Sequence, residues 1–230
     1  MRWVRSLTGA ETPTTLEFPI SDDYQAATVV GAGTSVNLNI GDPVKIGEDG
    51  CIKLTQQGQD EAGPNADSDD LIFGVIAGFK RTVDGNAAVR PGSFLTGATS
   101  HAGIATDGAP IALVIPAMGN IFELDADAVL ATPTKAGAMA LIGRTASVEY
   151  SVLTAGTGQP KANPLIDVSV AEGGAGGLVQ GQLVIVGLGQ LGDVMDFTAT
   201  NVTFQVMASF LDLSQNNETG GIGTYGSNVE

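Results

Sequence analysis

From residue 36 to residue 206 the chain is a succession of short apolar runs broken by polar, glycine-rich stretches, and the runs have the period of strands. Val36-Asn-Leu-Asn-Ile40 alternates apolar with polar residues, which turns every second side chain to one face of a half-buried strand. Pro43-Val-Lys-Ile46 and Cys51-Ile-Lys-Leu54 flank Gly47-Glu-Asp-Gly50, so a hairpin with an Asp-Gly turn is expected. Leu71-Ile-Phe-Gly-Val-Ile-Ala-Gly-Phe79 reads as a buried strand. Phe94-Leu95, Ile104-Ala105, Ile111-Ala-Leu-Val-Ile115 and Ile121-Phe-Glu-Leu124 continue the series, with turns at Asp84-Gly-Asn86, Pro91-Gly92 and Asp107-Gly-Ala-Pro110 between them. Further strands are expected over Ser147 to Leu153, Leu165 to Val170, Leu178 to Leu188 and the β-branched stretch Phe197 to Val206. Evenly spaced short strands with glycine-rich turns predict an all-β, antiparallel fold, a barrel or a sandwich, with little helix. Helix formers occur only over Asp125 to Ala131 and Lys135 to Leu141, and Pro133 divides them.

Residues 1–30 lack that alternation. Trp3, Leu7, Leu16, Phe18, Ile20 and Tyr24 are strung along a stretch interrupted by Thr12-Pro-Thr-Thr15 and Phe18-Pro-Ile-Ser-Asp-Asp23. Two readings follow. In one, the stretch is an extended N-terminal arm that lies along a neighbouring subunit, with Trp3, Leu16, Phe18 and Tyr24 as interface anchors. In the other, it is an ordinary first strand packed on its own domain. The resulting division is an arm over residues 1–30, a β-barrel-like domain over 31–145, a second β region over 146–213 and a polar, glycine-rich tail over 214–230, expected to be flexible.

Composition narrows the function. The 230 residues are 43% hydrophobic and 15% charged, enough apolar material for a real core and unlike a disordered chain. The formal net charge is -15, which repels phosphate backbones over the whole surface and argues against nucleic acid as a partner. No apolar run approaches a membrane span, and no secretory leader is expected. Cys51 is the one cysteine, so no disulfide can form within the chain, and its place in an apolar run suits a small buried hydrophobe.

The inventory for catalysis is poor. His101, in Thr99-Ser-His-Ala-Gly103, is the one histidine, and no Gly-x-Ser-x-Gly elbow accompanies it. One histidine and one cysteine leave too few ligands for a usual transition-metal site. Carboxylates recur close together at Asp22 with Asp23, Asp67 with Asp69 and Asp70, and Asp125 with Asp127. Such pairs can serve glycoside hydrolysis, and Asn65-Ala-Asp-Ser-Asp-Asp70 is the best calcium loop, although it lacks EF-hand spacing. Solvated acidic loops are the commoner case. Gly187-Leu-Gly-Gln-Leu-Gly192, after an apolar strand, matches a dinucleotide fingerprint, and Asp212 lies where a ribose-binding acid would sit. The intervening segment is crowded with Thr and Val and favours strand over helix, so these glycines are read as turn and bulge positions in an antiparallel sheet. A non-catalytic protein without cofactor or metal is expected.

Gly41-Asp-Pro-Val-Lys-Ile46, the glycine-rich hairpin after it, and Leu71-Ile-Phe-Gly-Val-Ile-Ala-Gly78 resemble the β-barrel core of small structural proteins of tailed bacteriophages, and Pro116-Ala-Met-Gly-Asn-Ile-Phe-Glu-Leu124 is similar in style. The resemblance spans roughly residues 36–124. It implies a virion component made in the host cytoplasm, above all a head-decoration (cement) protein that binds the major capsid protein on the outer capsid surface as a trimer. A tail, fibre or baseplate component touching host glycan is the alternative. A β-rich carboxylate-dependent glycosidase is the second alternative.

Overall fold

A computed structural model describes residues 1–9, 12–20, 38–47, 50–55, 71–83, 86–88, 94–95, 111–153, 161–171, 182–189, 196–199 and 202–208. One sheet contains β1 (Arg2–Ser6), β10 (Asn120–Asp125), β14 (Thr203–Ala208), β13 (Leu183–Leu188), β11 (Thr145–Leu153) and β12 (Lys161–Asp167), in that order. The other runs β2 (Leu16–Pro19), β9 (Ile111–Pro116), β6 (Gly74–Val83), β4 (Pro43–Ile46) and β5 (Ile52–Leu54), with β7 (Asn86–Ala88) also on β6. A two-stranded ribbon joins β3 (Leu38–Asn39) to β8 (Phe94–Leu95). Every named strand pair is antiparallel. The two large sheets pack as a sandwich.

The expected all-β, antiparallel architecture is therefore present, as a sandwich and not as a closed barrel. Single parallel bridges, Ile20 to Ile52 and Ala126 to Ile166, link the end of β2 to β5 and the end of β10 to β12 without a continuous ladder. One hydrophobic cluster fills the interior and draws on both sheets, from Val44, Ile52, Ile76 and Val114 to Phe122, Val148, Ile166 and Phe204. Tyr150 of β11 reaches across, its hydroxyl donating to the Thr55 carbonyl at 3.0 Å. Strand pairing crosses residue 145, because β10 pairs with β14. The first sheet takes β1 and β10 from before that position and β11 to β14 from after it, whereas the second sheet lies wholly within residues 16–116.

The N-terminal stretch is extended, as read from the sequence, and is laid along the domain's own sheets, which is the second of the two readings. β1 pairs with β10 from Arg2 against Glu123 to Ser6 against Asn120. β2 pairs with β9 from Leu16 against Val114 to Pro19 against Ile111. The chain thus crosses from one sheet to the other beside the 117–119 turn, where β9 hands over to β10.

Local chemistry explains most elements. The 43–54 hairpin forms with Val44 opposite Leu54 and Ile46 opposite Ile52, and Gly50 takes φ +73° in its turn. Gly74 lies so close to β9 that a Cβ would come 2.4 Å from Val114 Cγ1 and 2.5 Å from the Ile115 carbonyl oxygen. Glycine alone permits that approach. Helix α1 (Lys135–Met139) starts where Thr134 Oγ1 accepts from the Gly137 amide at 3.1 Å, just after Pro133. The 125–131 stretch is not helical: Asp125 ends β10, and the Ala126 amide donates to the Val202 carbonyl.

Two expected strands are shorter than the pattern implied. The run Leu165 to Val170 leaves the sheet at Asp167 and turns into α2 (Val168–Ala171). Asp167 Oδ1 accepts from the Ser169 amide and hydroxyl, and Asp127 Oδ1 accepts from the Val168 amide, so side chains replace the ladder partners. Likewise residues 197–199 form a turn in which Asp196 Oδ1 accepts from the Thr198 amide and hydroxyl, and β14 covers Thr203–Ala208. Among the described residues, no helix is long and apolar enough to cross a membrane.

Candidate functional site

Two places carry chemistry. The first is the corner shared by β1, β2 and the 117–119 turn. Asn120 sits there, 9% exposed, and its Oδ1 accepts from Trp3 Nε1 at 2.9 Å. Its Nδ2 donates to the Pro116 carbonyl at 2.9 Å and, more weakly, towards the Met118 carbonyl at 3.4 Å. The Leu7 amide donates to the Gly119 carbonyl at 2.8 Å, which holds Leu7 beside the same turn. Leu7, Leu16 and Met118 nevertheless remain 56%, 42% and 72% exposed. Three large apolar side chains, one just after β1, one on β2 and one in the turn between β9 and β10, give this corner an apolar, outward-facing character.

The anchors expected from sequence divide there. Trp3 and Phe18 are half-buried and pack on the protein's own core. The Phe18 ring meets Phe73 edge-on, centroids 5.0 Å apart and planes at 79°. Leu16 faces outward. Tyr24 lies outside the described residues. Leu7 and Met118 are additions: Leu7 is visible in sequence as one apolar residue among several, whereas Met118 carries no local signal that its side chain stays out.

The second place is on the outer face of the first sheet. Val148 on β11 pairs with Ile166 on β12, and both point into the core with no exposure. Strand alternation therefore turns their neighbours Ser147, Glu149 and Asp167 outward, and Ser147 is the direct cross-strand partner of Asp167. Ala126 bridges Ile166, so Asp127 emerges on the same outer face, and its amide donates to the Ile166 carbonyl at 2.9 Å. The carboxylates of Asp127, Glu149 and Asp167 have oxygens within 4.8 Å of one another. Asp167 is 8% exposed. Beside them, Ser147 is 1% exposed, and its Oγ has no hydrogen-bond partner.

A retaining glycosidase would need two carboxyls about 5–5.5 Å apart facing an open groove. Here Asp127 and Asp167 are engaged by the first amides of α2, and Asp167 is covered. That arrangement suits holding something fixed better than attacking a sugar. Asp125, the sequence neighbour expected to work with Asp127, instead accepts from the Thr203 hydroxyl at 2.7 Å.

Of the dinucleotide fingerprint, Gly187 and Gly189 fall on described residues. Gly187 follows a bulge in β13, where Val186 is skipped between the Ile185–Val206 and Gly187–Gln205 pairs. β13 pairs antiparallel with β14. Gly189 abuts Thr203, whose Cβ would lie 2.8 Å from an added methyl. Cys51 is half-buried at the hairpin end and not fully enclosed. His101, the 65–70 loop, Gly192, Asp212 and the 214–230 tail lie outside the described residues. In comparisons with protein-family models, curated proteins and solved structures, no match to this chain was found.

Proposed function

We propose that this chain is a non-catalytic virion structural protein that binds and stabilises a bacteriophage capsid as a decoration protein. The observation that carries the reading is the apolar corner formed by the edge strands β1 and β2. Among the described strands β1 pairs with β10 alone and β2 with β9 alone, and Leu7, Leu16 and Met118 stand exposed beside them. Edge strands with apolar side chains suit addition to a neighbouring chain. The phage assignment rests on the resemblance carried by residues 41–46 and 71–78, which form β4 and the entry to β6 in a single sheet. The partner in this reading is the major capsid protein, with three copies of the chain together at the outer surface. The net charge of -15 keeps such a component soluble before docking and away from the packaged genome.

Each exposed aliphatic side chain contributes roughly 1.5–3 kcal/mol when fully buried, so three of them on each of several copies decide whether attachment persists. The test is co-sedimentation of the full chain with undecorated heads of the phage that encodes it. Leu7→Asp with Met118→Asp should abolish pelleting while the melting temperature stays within a few degrees of wild type. Full retention of binding by that variant would remove the corner as the docking surface, and a failure of wild type to pellet would remove the capsid reading.

A further inference from the structure

The geometry points to a calcium site on the outer face of the first sheet, built from Asp127, Glu149 and Asp167 with Ser147. Four observations converge. Three carboxylates from separate segments, the stretch just after β10 (Asp127), β11 (Glu149) and β12 (Asp167), place oxygens within 4.8 Å of one another. Two oxygens bound to one Ca²⁺ at about 2.3–2.6 Å lie at most about 4.6–5.2 Å apart, so the cluster already has the span of a shared ion. All the donors are oxygens, with no imidazole or thiolate, which selects a hard cation over zinc or copper. Finally, Ser147 Oγ is buried, has no hydrogen-bond partner, and belongs to the residue paired directly with Asp167 on the face that carries the carboxylates. A buried hydroxyl without a partner is unfavourable unless something completes its site. A cation among the carboxylates, or water bound to it, does so.

Calcium fits better than magnesium. The donors come from three backbone segments and Asp167 Oδ1 already accepts two hydrogen bonds, so the set is irregular. Ca²⁺ accepts six to eight oxygens in flexible geometry, whereas Mg²⁺ demands a near-ideal octahedron. The ion sits at the seam where Ala126 bridges Ile166 and would tie the end of β10 to β11, β12 and α2. Bound by the folded chain alone, it acts as a staple that raises stability with free calcium.

The experiment uses the full chain stripped with EGTA. Isothermal titration with CaCl₂ should show one ion per chain. At about a hundredfold excess over Kd, the melting temperature should rise by roughly 5–11 °C and fall back on chelation. Glu149→Gln and Asp127→Asn should each weaken affinity at least about tenfold, since each removes a ligand charge. Asp167→Asn also disturbs the start of α2, so Ser147→Ala serves as the milder variant. It should lower affinity while leaving the calcium-free melting temperature unchanged or higher. No heat of binding at millimolar CaCl₂ would overturn the proposal. So would unchanged affinity in Glu149→Gln and Asp127→Asn, or loss of binding in Asp67→Asn with Asp69→Asn, which would place the ion in the 65–70 loop. An equal shift with MgCl₂ would overturn the assignment to calcium.

Discussion

Asn120→Ala should uncouple the N-terminal strand from the corner where the chain changes sheets. In the native protein Asn120 accepts from Trp3 Nε1 at 2.9 Å and donates to the Pro116 carbonyl at 2.9 Å. The contact to the Met118 carbonyl, at 3.4 Å, is too long to add much. Two good hydrogen bonds contribute about 1 kcal/mol each, and leaving their half-buried partners unpaired adds a fraction of the desolvation cost. The expected loss is about 2–3 kcal/mol, equivalent to roughly 4–12 °C in melting temperature for a chain of this size. Trp3 is the sole tryptophan, so its fluorescence reports on this corner directly, and the variant should show a red-shifted emission in the folded state. Trp3→Phe keeps a ring and deletes the indole N–H. Urea melts followed by circular dichroism on both single variants and the double variant should give a coupling of about 1 kcal/mol. A loss below about 0.5 kcal/mol for Asn120→Ala, or zero coupling, would show that the corner is held by strand pairing alone and refute the reasoning.

Three further outcomes are expected. Deleting residues 1–19 should lower the melting temperature sharply or prevent folding, because β1 and β2 are edge strands of both sheets and carry Trp3 and Phe18 onto the core; an unchanged thermal melt would return them to the status of a free arm. Gly74→Ala should cost about 2–4 kcal/mol in a urea melt, since the new methyl would meet Val114 Cγ1 and the Ile115 carbonyl at under 3 Å with β9 fixed in register; a neutral result would mean that the two strands separate easily. The hydrogen bonds from the Thr198 side chain and then its amide hold the exposed Asp196 carboxyl below its ordinary value. Its stabilising contribution is thus present above the unfolded pKa and lost as pH falls through the lower folded one, and Thr198→Val should raise the Asp196 pKa in an NMR titration.

Sequence alone determined the parts that depend on neighbours along the chain. Alternating and apolar runs located the 43–54 hairpin, β6, β9, β10 and β11, because side-chain period and turn residues are local properties. The β-branched stretch after Gly187 likewise identified that glycine with a sheet bulge, and the structure places it beside one. Local pattern overran at residues 168–170 and 197–199, where aspartate side chains captured backbone amides in place of the ladder. Only tertiary structure decided which sheet each strand joins. Residues 1–19 lack alternation, yet they become edge strands because β9 and β10 each offer them an unpaired edge. The same holds for the carboxylate cluster. Asp127, Ser147, Glu149 and Asp167 carry no motif, and the end of β10 meets β12 only once the sheet has curled far enough for Ala126 to bridge Ile166. Convergence of side chains from distant positions is a property of the folded sheet, and no window along the chain contains it.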